Sequence, residues 1–217
     1  MTTFPRSPRV TKGALVSFDR LRPIPKVIVF QYNPESVTRS FSGKQGGGEG
    51  NREEVLRIKG APAETITMKV EIDATDQLEK AEPVAVAVGI YPQLSALELI
   101  LYPTSSHVKS KTVLALAGAM EVAPPEAPLT VLAAGPNRVV PVRLTGLTIT
   151  ETAFDTRLNP IQADVDLTLQ VLTYDDFPVC HAGYALFLAH QVAKEALAAQ
   201  ATLQSIGSIV GGSTKII

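Results

Sequence analysis

Tryptophan is absent from this 217-residue chain, and all aromatic residues together reach only 6%. Stacking on nucleobases or sugars is therefore poorly supplied. Cysteine occurs once, at Cys180, so no intramolecular disulfide can form and nothing supports secretion. Neither sign of charge dominates: the formal net charge is −1. There is no global basic field to draw nucleic acid and no polybasic run to draw a membrane surface. No uninterrupted apolar run reaches the roughly 18–20 residues of a membrane span. The Ala-rich C-terminal stretch comes closest, but His190, Gln191, Lys194, Glu195, Gln200 and Gln204 break it. The opening MTTFPRSPRVTKG is basic but lacks the apolar centre of a signal peptide. These absences lead to the expectation of a soluble cytoplasmic protein with no nucleic-acid or membrane partner.

Reactive groups are scarce as well. Three histidines and Cys180 are the only strong nucleophile or ligand candidates. Cys180 and His181 are adjacent in sequence, and neighbours rarely point at one another as a catalytic pair must. A partly buried, inert Cys180 and exposed His107 and His190 are expected. No CxxC, HxxxH, HExxH, GxSxG or GxGxxG spacing occurs. The segment 40–52, SFSGKQGGGEGNR, is glycine-rich, yet Lys44 precedes Gly46, Gly47 and Gly48 instead of following them. A phosphate loop needs the opposite order, so a flexible loop is expected. Asp164 and Asp166 lie two apart on one face, but nothing near them in sequence supplies a third metal ligand. A solvated polar face is the plain reading. The expected protein is not an enzyme and uses no cofactor or metal.

What the chain does hold is strand. Over Val139–Tyr174 it reads as two long strands joined around Phe154–Pro160. In the second, Ile161, Ala163, Val165, Leu167, Leu169 and Val171 share one parity, and Gln162, Asp164, Asp166, Thr168 and Gln170 share the other. Successive side chains point to opposite sides of a sheet, so this strand has one apolar and one wet face. In the first, Val140, Val142 and Leu144 share a parity that Leu147 and Ile149 do not. The switch falls at Gly146, where one extra residue would flip every later side chain, so a bulge is expected there.

Further strands are expected at Ala14–Asp19, at a more buried Val27–Tyr32 and at Glu64–Asp73, and Leu129–Ala134 leads through a turn at Gly135–Pro136–Asn137 into the long hairpin. Thr75–Gly89 carries Asp76 as a cap candidate and is interrupted by Pro83. Pro92–Leu101 reads as a short helix with Leu94, Leu97 and Leu101 on one stripe. Thr104–Ser110 reads as a polar loop, Thr112–Met120 is open between strand and helix, and His181–Ser208 reads as a helix. The expected class is mainly β (α+β), organised as an arm at 1–12, a β domain at 13–178 and a C-terminal helix with a frayed tail at 179–217.

The order of these segments is itself informative. VIVFQYNPES comes early, then the Gly-rich loop, a strand ending VEIDAT, a proline-led helix, and late FDTRLNPIQADVDLTLQVL. Over roughly residues 13–175 this resembles the tube-type adaptor proteins of phage-tail-like contractile injection systems. The early motif falls on Phe30, Tyr32, Asn33, Pro34, Glu35 and Ser36, and the late one on Phe154, Leu158, Pro160, Ala163, Val165 and Leu167. Members of that family often carry a tryptophan–glycine pair before the hairpin, where this chain reads LAAGPNRVV. Members often continue into a LysM-type module, where this chain has its Ala-rich helix.

The resemblance implies a tail-tube-like β-barrel or sandwich with a flanking helix. Six copies would form a ring whose long hairpins join around a channel. The implied partners are further copies of the chain, a spike or hub protein, the inner tube protein and other baseplate proteins, in a particle assembled in the cytoplasm. Gln162, Asp164, Asp166, Thr168 and Gln170 would face the lumen. The loop with Lys44, Gly46, Gly47 and Gly48 would contact neighbouring subunits. The extra helix, the basic arm and the early NPES segment favour an adaptor between spike and tube. A repeating inner-tube subunit, a baseplate module binding cell-wall glycan or sheath, and a hydrolase with an unrecognised site remain open.

Overall fold

The computed structural model describes residues 12–18, 25–30, 33–43, 59–103, 105–116 and 127–209. Most of the expected N-terminal arm, Tyr32, Lys44 with Gly46, Gly47 and Gly48, and the tail from 210 lie outside the described residues.

The described strands are β1 (Ala14–Phe18), β2 (Lys26–Val29), β3 (Val37–Ser42), β4 (Ala63–Asp73), β5 (Leu129–Ala133), β6 (Val139–Phe154) and β7 (Pro160–Val171). The helices are α1 (Thr75–Glu79), α2 (Pro83–Val88), α3 (Tyr91–Leu101), α4 (Ser105–Leu116) and α5 (Ala182–Ile209). All seven strands join one sheet in the order β2-β1-β5-β6-β7-β4-β3, and every neighbouring pair is antiparallel. The class is therefore mainly β with added helices, α+β, as the strand patterns indicated.

The hairpin β6–β7 sits at the centre of the order. Its strands run 16 and 12 residues, against a usual five or six. Across it the core is built in rows: Ile66, Leu169 and Leu144; then Met68, Leu167 and Leu147; then Val70, Val165 and Ile149. Such rows need β6 to change parity after Leu144, and it does. The register shifts between Leu144 and Gly146, leaving Thr145 without an opposite residue. The Thr145 hydroxyl then donates to the Thr168 carbonyl at 3.1 Å. A Cβ on Gly146 would lie 3.2 Å from Thr168 Cβ, so this close approach suits glycine. A second shift between Glu151 and Ala153 repeats the arrangement, with Thr152 donating to the Gln162 carbonyl at 3.3 Å.

The hairpin tip is clamped. The Asp155 carboxylate accepts from the Arg157 and Asn159 amides at 2.7 and 2.8 Å and from Asn159 Nδ2 at 2.8 Å. Those bonds, the Asn159 side chain foremost, hold its pKa below the ordinary aspartate value. Ile90 N donates to the Pro160 carbonyl at 2.9 Å, and Asn159 Nδ2 donates to the Ala87 carbonyl at 3.3 Å. The tip thus rests on the α2–α3 connection, and Ile90, Leu94 and Leu97 carry the contact into the core.

Several expectations need correction. The start of the expected flexible loop, Ser40, Phe41 and Ser42, instead completes β3 and pairs with β4; cross-strand pairing overrides a weak local pattern. Strand β2 is not more buried: Val27 and Val29 are each 55% exposed, because β2 is an edge strand that buries only Ile28, with Phe30 buried just beyond its end. Asp76 does not cap α1. Ala74 holds the cap position, and the Asp73 carboxylate accepts from Thr75 N at 2.7 Å. Leu101 is exposed, since α3 ends there and Tyr102 leaves in extended backbone. The expected polar loop at 104–110 is mostly the first half of α4.

Gly89 tests the clamp. Its φ is +59°, and a Cβ there would sit 2.1 Å from the Pro160 carbonyl oxygen. Gly89→Ala is expected to lower stability by about 3 kcal/mol, measured by urea denaturation.

Candidate functional site

The side of the sheet facing away from the core is polar across four strands. On β4 it shows Thr65, Thr67, Lys69, Glu71 and Asp73, which stand opposite Gln170, Thr168, Asp166, Asp164 and Gln162 of β7. Beyond β7 come Arg143, Gly146, Thr148, Thr150 and Ala153 of β6. Beyond β4 come Thr38 and Ser40 of β3. Nothing larger than alanine interrupts these rows with apolar surface. The alternation that buries Val165 and Leu167 dictates this, because each buried residue sends its neighbours to the other side.

The carboxylates on this face are only partly balanced. Lys69 Nζ lies 3.0 Å from Asp164 Oδ2, and that contact raises the lysine pKa above its ordinary value. Gln162 Nε2 donates to Glu71 Oε1 at 2.6 Å. Asp166 is exposed. Lys69 and Arg143 face Glu71, Asp73, Asp164 and Asp166, so the face is acidic on balance. Among the described residues no group of three His, Cys, Asp or Glu side chains could hold a metal ion.

The five residues Gln162, Asp164, Asp166, Thr168 and Gln170 therefore share one surface. The other sequence-derived residues do not join it. Asn33 Oδ1 accepts from Gly13 N at 3.1 Å, tying the start of β1 to the stretch after β2. Pro34 is half-buried and Glu35 exposed. Phe154 and Pro160 stand opposite each other at the hairpin tip, the first half-exposed and the second buried.

A second constellation went unread in the sequence. Glu64 is 5% exposed. Its Oε1 accepts from Arg39 Nε at 2.7 Å and lies 2.6 Å from Arg39 Nη2, while Oε2 lies 3.5 Å from Lys194 Nζ. Arg39 sits over the Phe41 ring, 4.9 Å from its centroid. One carboxylate thus joins edge strand β3 to α5. The parity of β4 held the signal: Glu64 shares the core side with Ile66 and Met68. On α5 the matching stripe is Gly183, Phe187, His190 and Lys194, spaced for one helix face. Gly183 lies under the Phe177 ring, and Phe187 meets Tyr174 edge-on at 5.8 Å.

His190, expected exposed, is buried in this stripe. Burial first, then Lys194, Arg39 and Arg138, push its pKa below the ordinary value, against an opposing pull from Glu64. Cys180, expected partly buried, is exposed, because it sits in the turn before α5. His181 instead stacks on Phe177 at 4.8 Å, and its Nδ1 accepts from Gly183 N at 3.1 Å. No hydrogen bond joins Cys180 to His181 among the described residues. No helix among them is long and apolar enough to cross a membrane.

Glu64→Gln would leave Arg39 and Lys194 without their counter-charge. A loss of about 2 kcal/mol is expected, below the figure for a fully buried pair because both cations are partly exposed. Urea denaturation would measure it, with faster hydrogen exchange over 182–194. Below the ordinary histidine pKa the unfolded chain binds a proton that folded His190 resists, so stability falls as pH drops below about 6.5. His190→Gln should flatten the stability curve just below about pH 6.5, as read by urea denaturation across that range.

Compared with models of known protein families and with curated proteins, the chain matches none.

Proposed function

We propose that the chain is a structural subunit of a contractile injection system that closes into a hexameric ring and joins the spike to the inner tube at the baseplate. One observation carries this reading: the polar face belongs to a hairpin with a free outer edge. Strand β5 pairs with β6 only as far as Val142. Beyond that point no described strand covers the outer side of β6, and β3 forms the sheet's opposite edge. A long unpaired edge invites another strand. Pairing β6 of one copy with β3 of the next is head-to-tail and closes only as a ring.

In such a ring each copy contributes β3, β4, β7 and β6. Six copies make a wall of about 24 strands, roughly 115 Å around at ~4.8 Å per strand. The apolar rows stay inside each subunit, and the row of Gln162, Asp164, Asp166, Thr168 and Gln170 lines the channel. An acidic, hydrated wall gives passing cargo no apolar surface to hold. The spike or hub protein would bind one rim and the inner tube protein the other, with further baseplate proteins outside.

Cryo-EM of the particle tests the reading, with one six-fold ring of this chain expected between spike and tube. Repetition of the chain along the whole tube would replace the adaptor by a tube subunit, and its absence from the particle would sink both. Replacing Asp164 and Asp166 together by lysine should leave rings intact and lower cargo delivery by about tenfold. Unchanged delivery would remove the channel-wall role.

A further inference from the structure

A groove of about 720 Å³ opens between β2 and the helices α1 and α3. Its floor is Val70, Ile72 and Leu167, all members of the hydrophobic core. Four strands separate β2 from β4 in the sheet order, yet both line this groove, so the sheet curls until its β2 edge nears α3. The floor residues are themselves at most 7% exposed, so the accessible apolar surface of the groove lies on its walls. Val27 and Val29 of β2 add half-exposed apolar surface at its side.

The groove also holds an unmet polar requirement. Gln93 Oε1, on its α3 wall, is buried and accepts no hydrogen bond among the described residues. A buried acceptor without a donor is costly, and a backbone N–H entering the groove would satisfy it. β2 is an edge strand, which suits the entry of an extended segment. The rim carries the carboxylates of Asp76 and Glu82 and the cations Lys12 and Lys80.

We propose that this groove is the docking site of the chain's own residues 1–11. The described chain begins at Lys12, on the groove rim, so the segment starts at the mouth. At roughly 3.3 Å per residue it reaches about 36 Å, far more than the four-residue β2 requires. Its sequence, MTTFPRSPRVT, offers Phe4 and Val10 to the apolar wall at Val27 and Val29 and Arg6 and Arg9 to the carboxylates of Asp76 and Glu82. Pro5 and Pro8 favour extended backbone. The non-proline amides supply the donor that Gln93 lacks. The inference concerns the single subunit and stands apart from ring assembly.

Disulfide trapping on the full-length monomer tests it. In a Cys180→Ser background, Phe4→Cys with Ala96→Cys should give an intrachain bond under mild oxidation, while Phe4→Cys with a cysteine replacing exposed Thr150 should not. In a second measurement, Phe4→Ser with Val10→Ser should speed hydrogen exchange over 26–30 and 93–97 by about tenfold while leaving β7 protected. Crosslinks only between two chains would assign the groove to a second copy and overturn the proposal. Unchanged exchange with no crosslink at Ala96 would overturn it equally.

Discussion

Between β6 and β4, every second side chain of β7 is out of reach of water: Ala163, Val165, Leu167 and Leu169 are all 0% exposed. Burying a residue such as leucine or valine contributes about 1.5–3 kcal/mol, an upper figure because the unfolded chain is already partly compact. The Lys69–Asp164 ion pair on the opposite face is open to solvent and screened by it, and adds little. The apolar rows therefore decide the register, and the polar face follows as their geometric consequence. That face is positioned by residues it never touches.

Length then creates a packing problem that the bulges resolve. A regular β6 would turn Leu147 and Ile149 to the wet side. Thr145, inserted without an opposite residue, turns them back to the core. The far end is held by Pro160 against the Gly89–Ile90 connection. The near end is held by α5, through Phe187 and the shared carboxylate of Glu64. A buried carboxylate with partners on two elements is weak as a source of stability but specific as a fastener, and here it sets where the helix lies on the sheet.

Much of this was legible in the alternation of residues. The paired long strands, the parity switch at Gly146, the patterned β4 and the shared surface of Gln162, Asp164, Asp166, Thr168 and Gln170 follow from a period of two. What escaped was decided by partners distant in sequence. Strand β3 has little pattern of its own and exists because β4 pairs with it. Val27 and Val29 look like core until β2 is placed at an edge. His190 lies in a helix rich in alanine and glutamine, and only the docking of α5 against Arg39 and Glu64 buries it. The position of Cys180 depended likewise on how the turn before α5 is presented.

By itself, then, the sequence determined which side of each long strand is wet, where the hairpin turns and where its register slips, because these depend on neighbours one or two residues apart. Strand order, the choice of edges, the curl that brings β2 toward α3, the burial of His190 and the partners that Glu64 finds were decided only by tertiary structure. They arise from contacts such as Arg39 with Glu64 and Glu64 with Lys194, which lie far apart along the chain and which no local period encodes.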